Sequence, residues 1–164
     1  MQVTFHGEAL DTSGTPVTVG SDFPQFKLTT KTGQTLTKDE LAGKVTLISV
    51  VPDINTRVCS VSTKKFNQEV DKFKQVAFYT VSTNTVAQQA GWCAAEGVAK
   101  MEVVSDEAKD FGKATGLYIE AKGIDARSVW VLDQAGKVVY RELITEQTNE
   151  PNYQAVLDFL TKLA

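Results

Sequence analysis

Cys59, Cys93 and His6 are the only cysteines and the only histidine in this chain of 164 residues. Three such side chains cannot fill a four-ligand zinc site without borrowed carboxylates. A Ser-His-Asp triad would have to use His6, close to the chain start and outside any recognisable nucleophile turn. Read by itself, His6 is a surface or packing residue. There is no phosphate-binding glycine loop of the Walker or dinucleotide type. There is also no Cys-x-x-Cys pair, which argues against a thiol–disulfide oxidoreductase. What remains is the chemistry of single cysteine sulfurs.

Cys59 has the more telling surroundings. The run Val45-Thr46-Leu47-Ile48-Ser49-Val50-Val51 is β-branched and does not alternate, as in a central strand covered on both faces. Pro52 stops it. With Thr56 as N-cap, Arg57, Val58 and Cys59 are the first three residues of a helix, and their N–H groups have no intrahelical partner. A thiol there is drawn toward thiolate. Full ionisation near neutral pH requires about 3.4 kcal/mol of preferential stabilisation of the anion. The helix dipole supplies about 0.3–1 kcal/mol, up to about 2 when partly buried. A cation is therefore needed as well. Arg57 is local. Arg127, just before the predicted strand Ser128–Leu132, is the better placed if that strand lies beside Val45–Val51.

Each residue also has a plainer reading. Cys59 and Cys93 can be small core residues, Thr56 an ordinary cap, Pro52 a strand terminator and Arg127 a surface residue. Asp106 reads as a helix cap. Cys93 falls on a different predicted helix from Cys59. A disulfide requires Cα atoms within about 7 Å, so joining the two sulfurs implies local unwinding near both.

The elements that must position these residues follow from pattern. Thr15–Gly20 and Phe26–Thr29 read as short strands, with a turn at Thr32-Gly33-Gln34. Thr37 and Glu40 mark one short helical turn. Cys59, Ser62, Phe66, Val70 and Phe73 form one helical stripe. Val76–Val81 and Met101–Val104 read as strands. Thr85–Ala95 reads as a helix stopped by Gly97, and Asp106–Ala114 as another. Asp133-Gln134-Ala135-Gly136 joins Ser128–Leu132 to Lys137–Leu143 as a hairpin. In a closing helix, Asn152–Ala164, the side chains of Val156, Leu157, Leu160 and Leu163 share a face. Alternating strands and helices predict an α/β sandwich around a mixed sheet. No linker is visible, so residues 1–164 read as one domain.

Composition narrows the partners. Seventeen basic against twenty acidic residues give a net charge of −3, which argues against a general nucleic-acid binder and a polybasic membrane-surface protein. No apolar run approaches the ~20 residues of a membrane span. The start, Met1–Glu8, lacks the basic and apolar regions of a signal peptide. The expected home is the cytoplasm, where cysteines are more often redox-active or free than structural cross-links.

The segment Pro52-Asp53-Ile54-Asn55-Thr56-Arg57-Val58-Cys59 resembles the Pro-x-x-x-Thr-x-x-Cys motif of the peroxiredoxins. Ser105-Asp106 with Phe111-Gly112 and Gly116, and Arg127 with Val129-Trp130-Val131-Leu132-Asp133, are similar to later segments of that family. A second cysteine at Cys93, in the helix after the next strand, resembles the atypical two-cysteine branch, the bacterial thiol peroxidases. So does a hairpin around Val3–Val19. Ser60, where the typical two-cysteine branch often has Pro, points the same way. Ser21-Asp22-Phe23-Pro24-Gln25-Phe26 departs from the common Asp-x-Ala-Pro-Asp-Phe segment.

The resemblance implies a thioredoxin-like fold with an N-terminal β-hairpin, a homodimer, and no metal or cofactor. It implies that Cys59 is the peroxidatic nucleophile and Cys93 the resolving cysteine. Thr56 offers its hydroxyl to sulfur and peroxide, Arg127 stabilises the thiolate and polarises the O–O bond, and Pro52 shields the sulfur from water. The expected substrates are hydrogen peroxide and alkyl hydroperoxides, and the expected reductant is thioredoxin. A redox-sensing or holdase-like module on the same scaffold is the alternative.

Overall fold

The computed structural model describes residues 1–163. A seven-stranded mixed sheet forms its centre. In spatial order its strands are β11 (Val138–Leu143), β10 (Ser128–Leu132), β5 (Val45–Val50), β6 (Val76–Ser82), β7 (Glu102–Ser105), β3 (Lys27–Thr29) and β4 (Thr35–Thr37). The three strands β5, β6 and β7 run parallel, and the outer pairings are antiparallel. A separate hairpin of β1 (Gln2–Phe5) and β2 (Glu8–Asp11) supplies the N-terminal addition.

The unbroken apolar character of β5 has a direct cause. Its side chains alternate between two cores, one on each face of the sheet. Ile48 and Val50 join Phe23, Phe26, Phe111 and Trp130 on one face. Leu47, with Val51 just beyond the strand, joins Phe66, Trp92, Val156 and Leu160 on the other. Strand β10 does the same, with Trp130 and Leu132 on the first face and Val129 and Val131 on the second. The helices α1 (Arg57–Glu69), α2 (Val86–Glu96) and α4 (Tyr153–Leu163) contribute Phe66, Trp92, Val156 and Leu160 to the second core. The short α3 (Asp110–Thr115) contributes Phe111 to the first. The result is the mixed α/β sheet flanked by helices that the sequence predicts.

Local signals set several boundaries as expected. Thr85 and Gln88 form a reciprocal cap at the start of α2, with bonds of 2.9 and 3.1 Å. Gly97 ends that helix at φ 70°, a left-handed conformation that favours glycine. Glu40 accepts from the Thr37 N–H at 2.7 Å and starts the short turn at Lys38–Leu41. In the hairpin after β10, Asp133 accepts from the N–H groups of Ala135 and Lys137, both at 2.9 Å.

Other expectations are corrected. Thr15–Gly20 is not a strand. Pro16 lacks a donor, and the carbonyl of Val17 is taken by the Arg141 side chain at 2.8 Å instead of a neighbouring strand. The helix expected from Asp106 starts only at Asp110, because Lys109 takes a left-handed φ of 65°. Asp106 nevertheless caps at a remove, accepting from the N–H groups of Phe111 and Gly112 at 2.9 and 2.8 Å. The stripe through Val70 and Phe73 outlasts α1, and Val70–Lys72 forms a tighter 3₁₀ turn. Met101 precedes β7. Leu163 is 43% exposed and so stands apart from the buried face of α4, and Ala164 lies outside the described residues. The two-residue strands β8 (Tyr118–Ile119) and β9 (Ile124–Asp125) are too short to show any period in the sequence.

Candidate active site

The register of β10 against β5 decides the site. The strands pair antiparallel with Ser128 opposite Val50. Arg127, one residue before Ser128, therefore sits at the same sheet end as Val51 and Pro52. That is the carboxyl end of β5, where open α/β sheets commonly place their sites. Pro52 cannot continue the ladder, and the chain turns through Asp53–Thr56 into α1.

Side chains hold this turn. The Asp53 carboxylate accepts from the Asn55 N–H at 3.0 Å and from the Asn84 carboxamide at 2.9 Å. Asn84 in turn accepts from the Ile54 N–H at 2.8 Å. The Thr56 hydroxyl donates to the Asp53 carbonyl at 2.9 Å. Thr56 thus occupies the N-cap position without making a side-chain cap, and its hydroxyl proton points away from the helix. Its carbonyl accepts the first helical bond, from Ser60 N–H at 2.9 Å. The first-turn N–H groups of Arg57, Val58 and Cys59 lie free of intrahelical partners.

Cys59 packs in the second core with no exposed surface. The Arg127 guanidinium donates to its sulfur, Nη2 to Sγ, at 3.3 Å. Arg127 itself is only 3% exposed. Its Nε donates to the Gln147 carbonyl at 2.9 Å, and its Nη1 is buried without a partner. A cavity of about 410 Å³ opens beside this cluster, bounded among others by Phe5, Pro52, Thr56, Ile124 and Arg127. Cys59 does not line it. His6, at the tip of the N-terminal hairpin, is at the rim of the same cavity.

Pro52, Thr56, Cys59 and Arg127 are thus brought together, whereas Cys93 is left apart. It is half-buried on α2 beside a smaller cavity of about 230 Å³ that Lys31, Gln89 and Met101 also line. Burial pushes the Cys93 thiol up, and Lys31 opposes this. Both cysteines are free. The two helices are tied by an ion pair between Lys64 and Glu96 at 2.7 Å.

Sequence reasoning missed three positions around the site. Asn84 lies in the polar stretch Ser82-Thr83-Asn84-Thr85, a turn signal that says nothing of its partner. Gln147 carries no signal at all. Asp125, two residues before Arg127, is a fully buried carboxyl. Burial first, and then the neighbouring Asp106, push it well above the usual carboxylate range. Burial also raises Asp106. The two share the space opposite Gly112, where an added Cβ would lie 2.0 Å from Asp125 Oδ1. No group of three or more His, Cys, Asp or Glu side chains is arranged to hold a metal ion among the described residues.

Against known proteins, the family model described as Redoxin matches residues 18–157. The chain belongs to the Redoxin family. A thiol peroxidase of Bacillus subtilis (strain 168) is 42% identical over 158 residues, covering 96% of this chain and 95% of the relative. One of Listeria monocytogenes serotype 4b is 38% identical over 162 residues, covering 98% of each. Within its family the chain is a peroxiredoxin-type peroxidase of the thiol peroxidase kind, an oxidoreductase. Among solved structures, a peroxiredoxin-like protein from Aquifex aeolicus superposes with a TM-score of 0.91 at 31% identity, covering 99% of this chain and 97% of that one. A thiol peroxidase from Chromobacterium violaceum gives 0.88 at 16% identity, covering 99% and 96%, and speaks for the thioredoxin-like fold alone.

Proposed function

We propose that Cys59 reduces hydrogen peroxide and alkyl hydroperoxides, that Cys93 resolves the product as an intramolecular disulfide, and that thioredoxin recycles it. The observation that carries this reading is the Arg127 guanidinium, one nitrogen on the Cys59 sulfur and another buried without a partner. A buried, unsatisfied guanidinium nitrogen is costly, and a peroxide oxygen bound there satisfies it.

The thiolate of Cys59 attacks the terminal peroxide oxygen. The O–O bond breaks as the S–O bond forms, and the terminal oxygen stays on the sulfur with its proton as sulfenic acid. The departing alkoxide or hydroxide leaves as alcohol or water by taking up from solvent the proton that the thiol released on ionising. Arg127 holds the sulfur as an anion and stabilises charge on the departing oxygen. The first-turn N–H groups add donors to the same anion site. The Thr56 hydroxyl, its proton given to Asp53, has lone pairs left to accept the peroxide proton. Pro52 keeps bulk water from the sulfur. The Cys93 sulfur then displaces hydroxide from sulfenic Cys59, which leaves as water with the thiol proton, and the dithiol of thioredoxin returns both cysteines to thiols. Cys59 is buried and Cys93 lies on another helix, so the disulfide requires the first turn of α1 and part of α2 to unwind.

No helix among the described residues is long and apolar enough to cross a membrane. The reading places the enzyme in the cytoplasm as a homodimer, without a cofactor. Its test is consumption of NADPH coupled through thioredoxin reductase and thioredoxin to added peroxide, with mass mapping of the disulfide after one equivalent of peroxide. Sustained turnover and an intrachain Cys59–Cys93 link are expected. A single oxidation without turnover contradicts recycling and supports a sensor, and only interchain disulfides contradict the resolving role of Cys93.

A further inference from the structure

Arg127 is aimed by a residue that does not touch the sulfur. Gln147 lies between β11 and α4 and is 1% exposed. Its Oε1 accepts from the Arg127 main-chain N–H at 2.5 Å. Its Nε2 donates to the Ile144 carbonyl at 2.6 Å. One partner can only donate and the other only accept, so the orientation of the carboxamide is fixed by its neighbours. Its own carbonyl takes the Arg127 Nε–H at 2.9 Å, and its N–H donates to the Thr4 carbonyl of β1 at 2.8 Å. The Ile144 N–H closes the loop by donating to the Arg127 carbonyl at 3.2 Å.

A guanidinium is planar, with its donors in a fixed fork. With Nε held on one carbonyl and the main chain held on one carboxamide, the plane of the Arg127 head cannot turn. Nη2 then falls on the Cys59 sulfur, and Nη1 is left over. We infer that Gln147 is a positioning residue for peroxide reduction: it clamps both the main chain and the head of Arg127, so that one nitrogen meets the sulfur and the other stays free for peroxide. This rests on the roles given above to Cys59 and Arg127. An apolar residue at this position strands a buried N–H and a buried carbonyl, and the loop shifts to satisfy them. A displacement of about 1 Å at a reacting group is enough to cost about 100-fold in rate.

The test is a double-mutant cycle with Gln147→Met, which keeps side-chain length and removes both polar atoms. In the otherwise native enzyme, the second-order rate with hydrogen peroxide should fall about 10- to 100-fold, and the pH profile of Cys59 alkylation should move to higher pH. In an Arg127→Ala background the same substitution should change the rate less than about twofold, because the clamp has nothing left to aim. Gln147→Asn keeps the carboxamide one methylene short. It should give a smaller loss with the same non-additivity, and it serves if the methionine variant does not fold. Equal losses in both backgrounds, or an unmoved alkylation profile, overturn the inference and leave Gln147 a purely structural residue. Native rates in Arg127→Ala alone would instead overturn the underlying assignment of Arg127.

Discussion

The two cysteines sit in contrasting surroundings. Cys59 is fully buried in the first turn of α1, with a guanidinium nitrogen 3.3 Å from its sulfur. Cys93 is half-buried on α2, where burial favours the neutral thiol. One sulfur has a guanidinium donor against it, and the other has burial working against its charged form. In the proposed reaction that difference sets a direction: peroxide meets Cys59 first, and Cys93 acts only after the fold has loosened around both. Two equally activated thiols would compete for the same oxidant.

The largest expected effect is at Cys59. Cys59→Ser should abolish peroxide consumption in the coupled assay, with folding retained by circular dichroism. Arg127→Gln removes the cation and should lower the rate with peroxide about 100- to 1,000-fold, on the scale of losing one preorganised donor. Stopped-flow fluorescence or competition kinetics would measure it.

The behaviour of Cys93 depends on pH. Burial raises the Cys93 thiol above its ordinary value, so near neutrality its thiolate fraction grows about tenfold with each pH step of one. The rate of disulfide formation after a peroxide pulse should climb steeply between pH 6 and pH 8. A rate that stays flat across that range would contradict a Cys93 thiol raised by burial.

A smaller effect concerns a buried carboxyl two residues before Arg127. Burial, and then the neighbouring Asp106, push the Asp125 carboxyl well above the usual carboxylate range. A raised carboxyl gives stability that is fully present below its unfolded value and is lost as pH rises toward the folded one. Asp125→Asn removes that loss. Its melting temperature should exceed that of the native protein at pH 7, and the gap should close as pH approaches 4. The smallest effect is at Glu146, which accepts from Gly7, Thr148 and Thr4 at 2.7–3.0 Å and is pulled down to about 2 by these bonds, those of Thr148 first. Here the stabilisation is present above pH 4.5 and fades as pH falls toward 2. Glu146→Gln should loosen the N-terminal hairpin slightly at neutral pH, read by faster amide exchange at His6 and Gly7.

The same contrast explains what the sequence revealed. Cys59 was legible because its surroundings are local: strand, proline, loop and helix start lie within one continuous segment. Arg127 was legible only conditionally, and the pairing of Ser128 with Val50 met the condition. Gln147, Asn84 and Asp125 were not legible, because each acts through a partner distant in sequence and leaves no periodic trace. The missing strand at Thr15–Gly20 has a similar cause. Alternation there looked like pairing, but an arginine side chain had taken the Val17 carbonyl.

In the proposed reaction Cys59 is the sulfur that peroxide oxidises. The direct measurement treats the reduced Cys93→Ser variant with one equivalent of hydrogen peroxide, traps sulfenic acid with dimedone and maps the adduct by mass spectrometry. One adduct per chain, on Cys59, formed within the time of mixing, is expected. A Cys59 that stays unlabelled while peroxide persists would contradict it.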